Sequence, residues 1–238
     1  MHTQEALADG VRTRLRDTAR EDGAVAALTA LHRSAGPDAL VHGPAGHVVA
    51  PAVLVAGATR TGRPGALAPR RGEGERDLTT PLLAALGLAA LRVPPGSRVH
   101  SADRDTGWDA DRDTDWDTAV VWLRLGLTRR LVDSVLAHLA ARTFGDTPLL
   151  RQPVVKTELA AVGVSLLEAE SALTAGPAPD ASAVRQLHEV LTAADRSLVR
   201  LLGAWGLACD GPGATAFVSH VLADAYAPPA LHPYEEAA

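Results

Sequence analysis

Clustered carboxylates are the most conspicuous chemical groups in this 238-residue sequence. A near-tandem octapeptide runs Asp103-Arg-Asp-Thr-Gly-Trp-Asp-Ala110, then Asp111-Arg-Asp-Thr-Asp-Trp-Asp-Thr118. Such spacing invites a calcium reading, because hard cations take clustered oxygen ligands. The glycine at loop position six and the glutamate at position twelve of an EF-hand are missing. An expanded, exposed surface loop is the simpler reading, and no metal is expected. Trp108 and Trp116 within the repeat would dock on a partner or cover neighbouring helices. Glu158, Glu168 and Glu170 form the next group. An apolar pocket turns a glutamate into a base for an acidic α-proton, but Glu158 and Glu168 lack i, i+4 spacing. Solvated helix surface is the simpler reading there. Gly57-Ala-Thr-Arg-Thr-Gly62 is similar to a nucleotide-binding turn, yet Arg-Pro-Gly follows it rather than a helix. The nine histidines show no HExxH and no paired ligand spacing. Cys209 is the sole cysteine and sits beside Asp210, whose charge opposes a thiolate, so an ordinary thiol is expected.

The composition bounds what these groups can serve. Hydrophobic residues make up 47% and charged residues 21%, which rules out wholesale disorder and collagen-like repeats. A net charge of −5 lacks the basic excess of a non-specific nucleic-acid binder. One cysteine excludes an intrachain disulfide and a multi-cysteine zinc site. Lys156 is the only lysine among many arginines. That skew reads as a high-GC coding bias, so an isolated arginine carries little weight. Met1 to Arg20 is charged throughout and has no apolar core of a signal peptide. The run Leu82–Leu91 falls short of the roughly 20 residues that span a bilayer. A cytoplasmic protein with no membrane segment is the expectation.

The elements that must position any site are read from periodicity. Ala6, Val11, Leu15 and Ala19 place a helix over Glu5–Arg20, and Ala24–His32 forms a second beyond Asp22-Gly23. Between Ala39 and Val99 the chain is rich in Gly, Pro and Val. Val48–Ala56 reads as a strand, Thr61–Arg76 as a loop, and Leu82–Leu91 as a helix or a buried strand. Leu91 to Val99 reads as two short strands about a Pro-Gly turn. Ser101–Thr118 is the exposed Asp/Trp loop. Helices then follow in succession. Val120, Leu123, Leu127, Leu131, Val135 and Leu139 share one face of Ala119–Thr143, with Gly145 as its C′ residue. Pro148–Thr174 is the next helix, and Asp180 or Ser182 caps a third that runs to Leu202. Ala214–Tyr226 follows the Gly-rich turn 203–213. The fold class is thus mainly α with some β. N-terminal helices occupy 1–36, a small β-rich segment 37–100, the acidic loop 101–118, an antiparallel four-helix bundle 119–227, and a loose tail 228–238.

Three stretches of the bundle resemble the C-terminal domain of the acyl-CoA dehydrogenase superfamily. Gly126-x-Thr-x-x-Leu131-x-Asp133 leads into Arg142-Thr-Phe144-Gly145, similar to the family's helix and its Arg-x-x-Phe-Gly turn. Leu149-Leu-Arg-Gln152-Pro153-Val154, with Glu158-Leu159-Ala160 and Glu168-Ala-Glu170, is similar to the Gln-Pro-Leu entry of the next helix. Gly203-Ala204-Trp205-Gly206 looks like the Gly-Gly-x-Gly turn before the last helix. Together they span 119–226. The resemblance implies oxidation of an acyl thioester, on CoA or a carrier protein, at a CH–CH bond with FAD. It implies cofactor contacts from Arg142, Phe144, Gln152, Gly203 and Gly206. Arg142 would pair with a pyrophosphate oxygen, and the glycines would let backbone amides approach. Arg142 as a solvated helix-end cation, with glycines that only make the turn, remains the other reading. The base stays unassigned, with Glu235 of Tyr234-Glu235-Glu236 as candidate. The resemblance also implies a homo-oligomer, or a hetero-oligomer with a full-length relative. No Thr-Glu-x-x-x-Gly-Ser-Asp or Trp-Ile-Thr stretch that holds the flavin ring in the family occurs. A flavin-less descendant, acting as a partner subunit or as a non-redox enzyme using the acyl pocket, is therefore the alternative.

Overall fold

The computed structural model describes residues 2–94, 110–175, 178–208 and 211–229. Two helices open the chain, α1 (His2–Glu21) and α2 (Ala24–Ala35). A mixed middle follows: β1 (Ala39–Val41), β2 (His47–Pro51), α3 (Ala52–Gly57), β3 (Arg60–Arg63), β4 (Ala66–Pro69), β5 (Arg76–Asp77), α4 (Pro81–Ala85) and β6 (Leu88–Arg92). Its strands form two three-stranded sheets, ordered β1-β3-β4 and β2-β6-β5. The long helices are α5 (Ala110–Ala141), α6 (Pro153–Thr174), α7 (Ala181–Leu202) and α8 (Gly213–Tyr226). A small hairpin, β7 (Thr143–Phe144) with β8 (Thr147–Pro148), and a 3-10 turn at Leu149–Arg151 link α5 to α6. A second 3-10 turn, Gly203–Leu207, follows α7.

Several sequence expectations are corrected. The Asp-rich stretch is not a loop throughout, because 110–118 forms the first turns of α5. Arginines from other elements answer the carboxylates further along, Arg12 of α1 at Asp115 and Arg63 of β3 at Asp117. Trp116 there is 5% exposed and belongs to the core. Residues 101–109, the Pro-Gly turn 94–99 beyond Pro94, and the tail from 230 lie outside the described residues. Val53–Ala56 is helical, since the strand ends at Pro51 and the Ala52 amide bonds the Gly87 carbonyl at 3.0 Å. Thr61–Arg76 contains the β3–β4 hairpin rather than a loop. A Cβ at Gly62 would lie 2.2 Å from the Ala66 carbonyl oxygen, so only glycine lets those strands meet. Leu82–Leu91 is half helix and half strand, turned at Gly87 with φ +73°. Gly145, with φ +58°, makes the β7–β8 turn instead of ending α5. Asp180 caps α7 by accepting the Ala183 amide at 2.8 Å.

Two apolar cores organise the helices. The first joins Leu15, Leu28, Val49, Leu88, Trp116, Leu123 and Tyr226, so it draws on α1, α2, the β2–β6 sheet, α5 and α8 together. The second lies within the bundle, among Leu131, Val135, Leu166, Leu187, Leu191 and Leu198. Helix α1 presses on α5 at Gly126, where a Cβ would sit 2.2 Å from the Arg16 carbonyl oxygen. From α5 to α7 the contacts advance together, Arg124 to His188 and Thr128 to Asp195. These two helices therefore run the same way, as alternate members of an antiparallel bundle do. None of the helices, over the described residues, is long and apolar enough to cross a membrane.

Candidate functional site

One end of the bundle gathers side chains from two segments distant in sequence. Helix α5 ends at Ala141, and the chain then turns back through the β7–β8 hairpin to α6. The 3-10 turn after α7 meets this end. His138, in the last turn of α5, stacks on Trp205 with ring centroids 4.5 Å apart and planes 21° apart. Arg142 reaches His138, NH1 to Nε2 at 3.4 Å, and its side chain is otherwise solvated. Trp205 stays 44% exposed and Phe144 76%. A half-exposed aromatic surface with a planar cation beside it can stack on a flat ring and pair with an anion at once.

The two glycines assigned to this turn differ. Gly203 has φ +58°, a conformation that favours glycine, and no atom lies within 4 Å of where a Cβ would stand. The space beside its Cα is open, while its amide already donates to the Arg200 carbonyl. Gly206 is buried, and a Cβ there would meet the Val199 carbonyl oxygen at 2.9 Å. A Cβ at Gly213 would in turn lie 1.6 Å from the Gly206 carbonyl oxygen. Gly206 and Gly213 thus let the turn close on α8, and ligand approach falls to Gly203. Gln152 is at the N-cap of α6, where its amide donates to the Leu149 carbonyl and its carbonyl accepts from Lys156. The structure therefore brings Arg142 and the 203–207 turn together through His138. It places Phe144 on the exposed hairpin and Gln152 in the following turn. Glu235 and Cys209 lie outside the described residues.

Of the three glutamates, Glu168 is exposed and Glu158 half-buried. Glu170 is held by Arg16 of α1 and Arg129 of α5, so it pins helices together. Among the described residues, no group of three or more His, Cys, Asp or Glu side chains is arranged to hold a metal.

A polar cluster unforeseen in the sequence lies in the bundle interior. Arg124 is fully buried. Its Nε donates to Ser219 Oγ at 3.0 Å and its NH2 to Thr192 Oγ1 at 2.9 Å. Its NH1 faces His188 Nδ1 at 2.8 Å and donates to the His188 carbonyl at 3.0 Å. Asp195 accepts from Thr128 Oγ1 at 2.8 Å, while its Oδ2 lies 3.8 Å from both Arg124 and His220. Burial lifts the Asp195 carboxyl to about 6, against the pull of Arg124. Burial, with Arg124 adding to it, drives the His188 imidazole down to about 3. His188 lies three residues before Leu191 and Asp195 three before Leu198, on the inward face of α7. Arg124 falls between Leu123 and Leu127 on α5. That inward spacing was the available signal, and discounting arginines hid it.

No family model and no curated protein matches the chain. Solved structures do. Butyryl-CoA dehydrogenase from Megasphaera elsdenii is 10% identical, with a TM-score of 0.53 over 81% of this chain and 61% of that one. A glutaryl-CoA dehydrogenase from Mycobacterium smegmatis, solved with FADH2, is 13% identical, with a TM-score of 0.49 over 78% and 56%. FkbI, for biosynthesis of the methoxymalonyl extender unit of a polyketide, is 15% identical, with a TM-score of 0.49 over 78% and 60%. The chain thus spans about 60% of the length of the solved structures it matches. At such identities the likeness is one of fold, and the fold is that of the acyl-CoA dehydrogenase superfamily.

Proposed function

We propose that this chain, built on the acyl-CoA dehydrogenase fold, binds the adenosine and pyrophosphate part of FAD at the α5/203–207 end of its bundle and serves acyl thioester oxidation. The observation that carries the reading is the meeting of Arg142, His138 and Trp205 beside the open space at Gly203. Arg142 would give a pyrophosphate its charge-assisted hydrogen bonds, and Gly203, with no Cβ, would leave room for it beside the turn. The exposed part of Trp205 would pack on adenine. When bound, FAD supplies the hydride acceptor. The proton acceptor on this chain is not assigned.

A second reading has its own support. Helix α6 exposes Val154, Val164 and Leu167, at 69%, 53% and 66%, on an outward face that a monomer leaves in water. Exposed apolar residues grouped on one helix face mark a surface for a partner. On that reading the chain is a subunit that completes a flavin site in a full-length relative.

Calorimetric titration of FAD and of a short acyl-CoA into wild type and Arg142→Ala tests both. The variant should bind FAD about 10- to 100-fold more weakly, the scale of one charge-assisted hydrogen bond, and unfold within about 0.5 kcal/mol of wild type. Equal FAD binding by the variant removes the site assignment. Wild type that binds no FAD, yet co-purifies with a full-length relative, moves the conclusion to the second reading.

A further inference from the structure

The β2-β6-β5 sheet carries an arrangement that the bundle-end site does not use. Its register sets His47 directly opposite Arg92, and Arg92 directly opposite Arg76. Directly opposed residues point to the same face, with Cβ atoms roughly 5 Å apart. Three basic side chains therefore stand in one row across three strands. The face is the one that carries Val49, Ala90 and Leu88 into the first core, and the row lies at its outer end. Arg76 and Arg92 are exposed and His47 half-exposed.

Among the described residues, the acidic neighbours do not answer this row. Asp77 alternates to the opposite face of β5, and its carboxylate accepts the Thr79 amide at 2.8 Å. Glu75 is taken by Arg70, in two bonds of 2.8 and 2.7 Å. Among the described residues, His47, Arg76 and Arg92 make no ion pair or side-chain hydrogen bond. Like charges set directly opposite each other destabilise a strand pair. Several arginines of the helical part are answered by carboxylates: Arg16 and Arg129 meet Glu170, and Arg20 meets Asp133. Backbone restraint holds the row in place, since Gly46 at the head of β2 has φ +82° and the Val93 amide bonds its carbonyl at 2.8 Å.

We propose that His47, Arg92 and Arg76 form a binding site for a phosphoryl group, either a phosphate monoester or a pyrophosphate. Two guanidinium forks flanking one tetrahedral anion supply parallel N–H donors, and the histidine adds a further donor at the edge. A bound dianion converts the repulsion along the row into attraction. This inference does not rest on the bundle-end reading, because the residues belong to a different sheet and the test reads each residue separately.

The test is titration of inorganic pyrophosphate and, separately, inorganic phosphate into nitrogen-15-labelled protein, with sodium chloride holding ionic strength constant. The site requires saturable amide shifts at residues 46–49, 76–78 and 90–93. Arg92→Thr and Arg76→Thr should each weaken binding at least about tenfold, the loss of one charge-assisted hydrogen bond. Arg71→Thr, which removes an exposed arginine outside the row, should leave it unchanged. In phosphate-free buffer Arg92→Thr should melt no lower than wild type, because a like-charge contact is removed. Shifts that do not saturate, that chloride reproduces, or that survive both row variants overturn the proposal. A clear fall in the melting temperature of Arg92→Thr also overturns it, by showing that the protein itself holds that side chain.

Discussion

The two cores of this molecule hold their buried histidines in opposite ways. At the joint between sheet and helices, His32 and Tyr226 are completely engaged with backbone. His32 Nδ1 accepts the Val41 amide at 3.3 Å, and Nε2 meets the Val49 carbonyl at 3.1 Å. The Tyr226 hydroxyl accepts the Val49 amide at 3.0 Å and faces the Val41 and Val49 carbonyls, each at 3.2 Å. Both rings pack on Trp116, at centroid distances of 5.3 and 6.2 Å. In the bundle, by contrast, the Arg124 cluster leaves Asp195 Oδ2, His188 Nε2 and His220 Nε2 buried with no hydrogen-bond partner. Neutral groups matched to fixed backbone atoms make a staple. Charged groups matched to other side chains make a network whose worth depends on every member.

The largest expected effect breaks that network. Arg124→Met strips His188, Thr192 and Ser219 of their donor and leaves Asp195 without its nearest charge. Urea unfolding should show a loss of about 3–5 kcal/mol. Arg124→Met with Asp195→Leu should recover a substantial part of it, because no buried charge is then left alone. A double variant as unstable as the single one would mean that the cluster acts by shape and not by charge.

The next prediction sharpens the contrast through pH. Burial holds His32 at about 4 and His188 at about 3, both below the usual histidine value. The unfolded chain then binds more protons, so their contribution is present above about 6.5 and lost as pH falls toward those values. Asp195, raised to about 6, works the other way: its folded form takes the extra proton, and stability is gained as pH falls from about 6 to about 4. Asp195→Asn removes the opposing gain. Its stability should fall more steeply with acid than that of wild type, by up to about one proton or 1.4 kcal/mol per pH unit between pH 6 and 4. Parallel profiles would place the titrating group elsewhere.

The smallest effect belongs to the joint. Tyr226→Phe removes one hydroxyl and leaves the Val49 amide buried without its acceptor, for about 1–3 kcal/mol in thermal unfolding. No change at all would show that the sheet shifts to satisfy that amide and that the staple is looser than its geometry.

Much of the helical frame was legible because its signals are local. The stripe from Val120 to Leu139, the Asp180 cap and the breaks at Gly23 and Gly203 each act within a few residues. The middle was harder, because short strands such as Arg60–Arg63 owe their existence to partners elsewhere, and Leu82–Leu91 changes structure at a single glycine. The helical start at 110 is not legible in the Asp pattern, because the arginines that answer Asp115 and Asp117 come from α1 and β3. At the bundle end, Arg142 and Gly203 were named from motif, but only tertiary folding sets Trp205 on His138 and separates Gly203 from Gly206. The cation row could not be seen in sequence, since it exists only through the register of three strands.

Tyr226 also bears on how the chain is made. Its hydroxyl bonds groups 177 and 185 positions earlier, and a Cβ at Gly43 would overlap the Ala225 carbonyl oxygen at 1.8 Å. Helix α8 is the last of the described elements to leave a ribosome. Until it arrives, the Val41 and Val49 backbone lacks its hydroxyl partner, and the first core lacks one wall. The sheet stays open on that side until α8 has been made, and contacts of such span close slowly. A nascent chain of this design has a long period of vulnerability to aggregation, which ends when α8 docks.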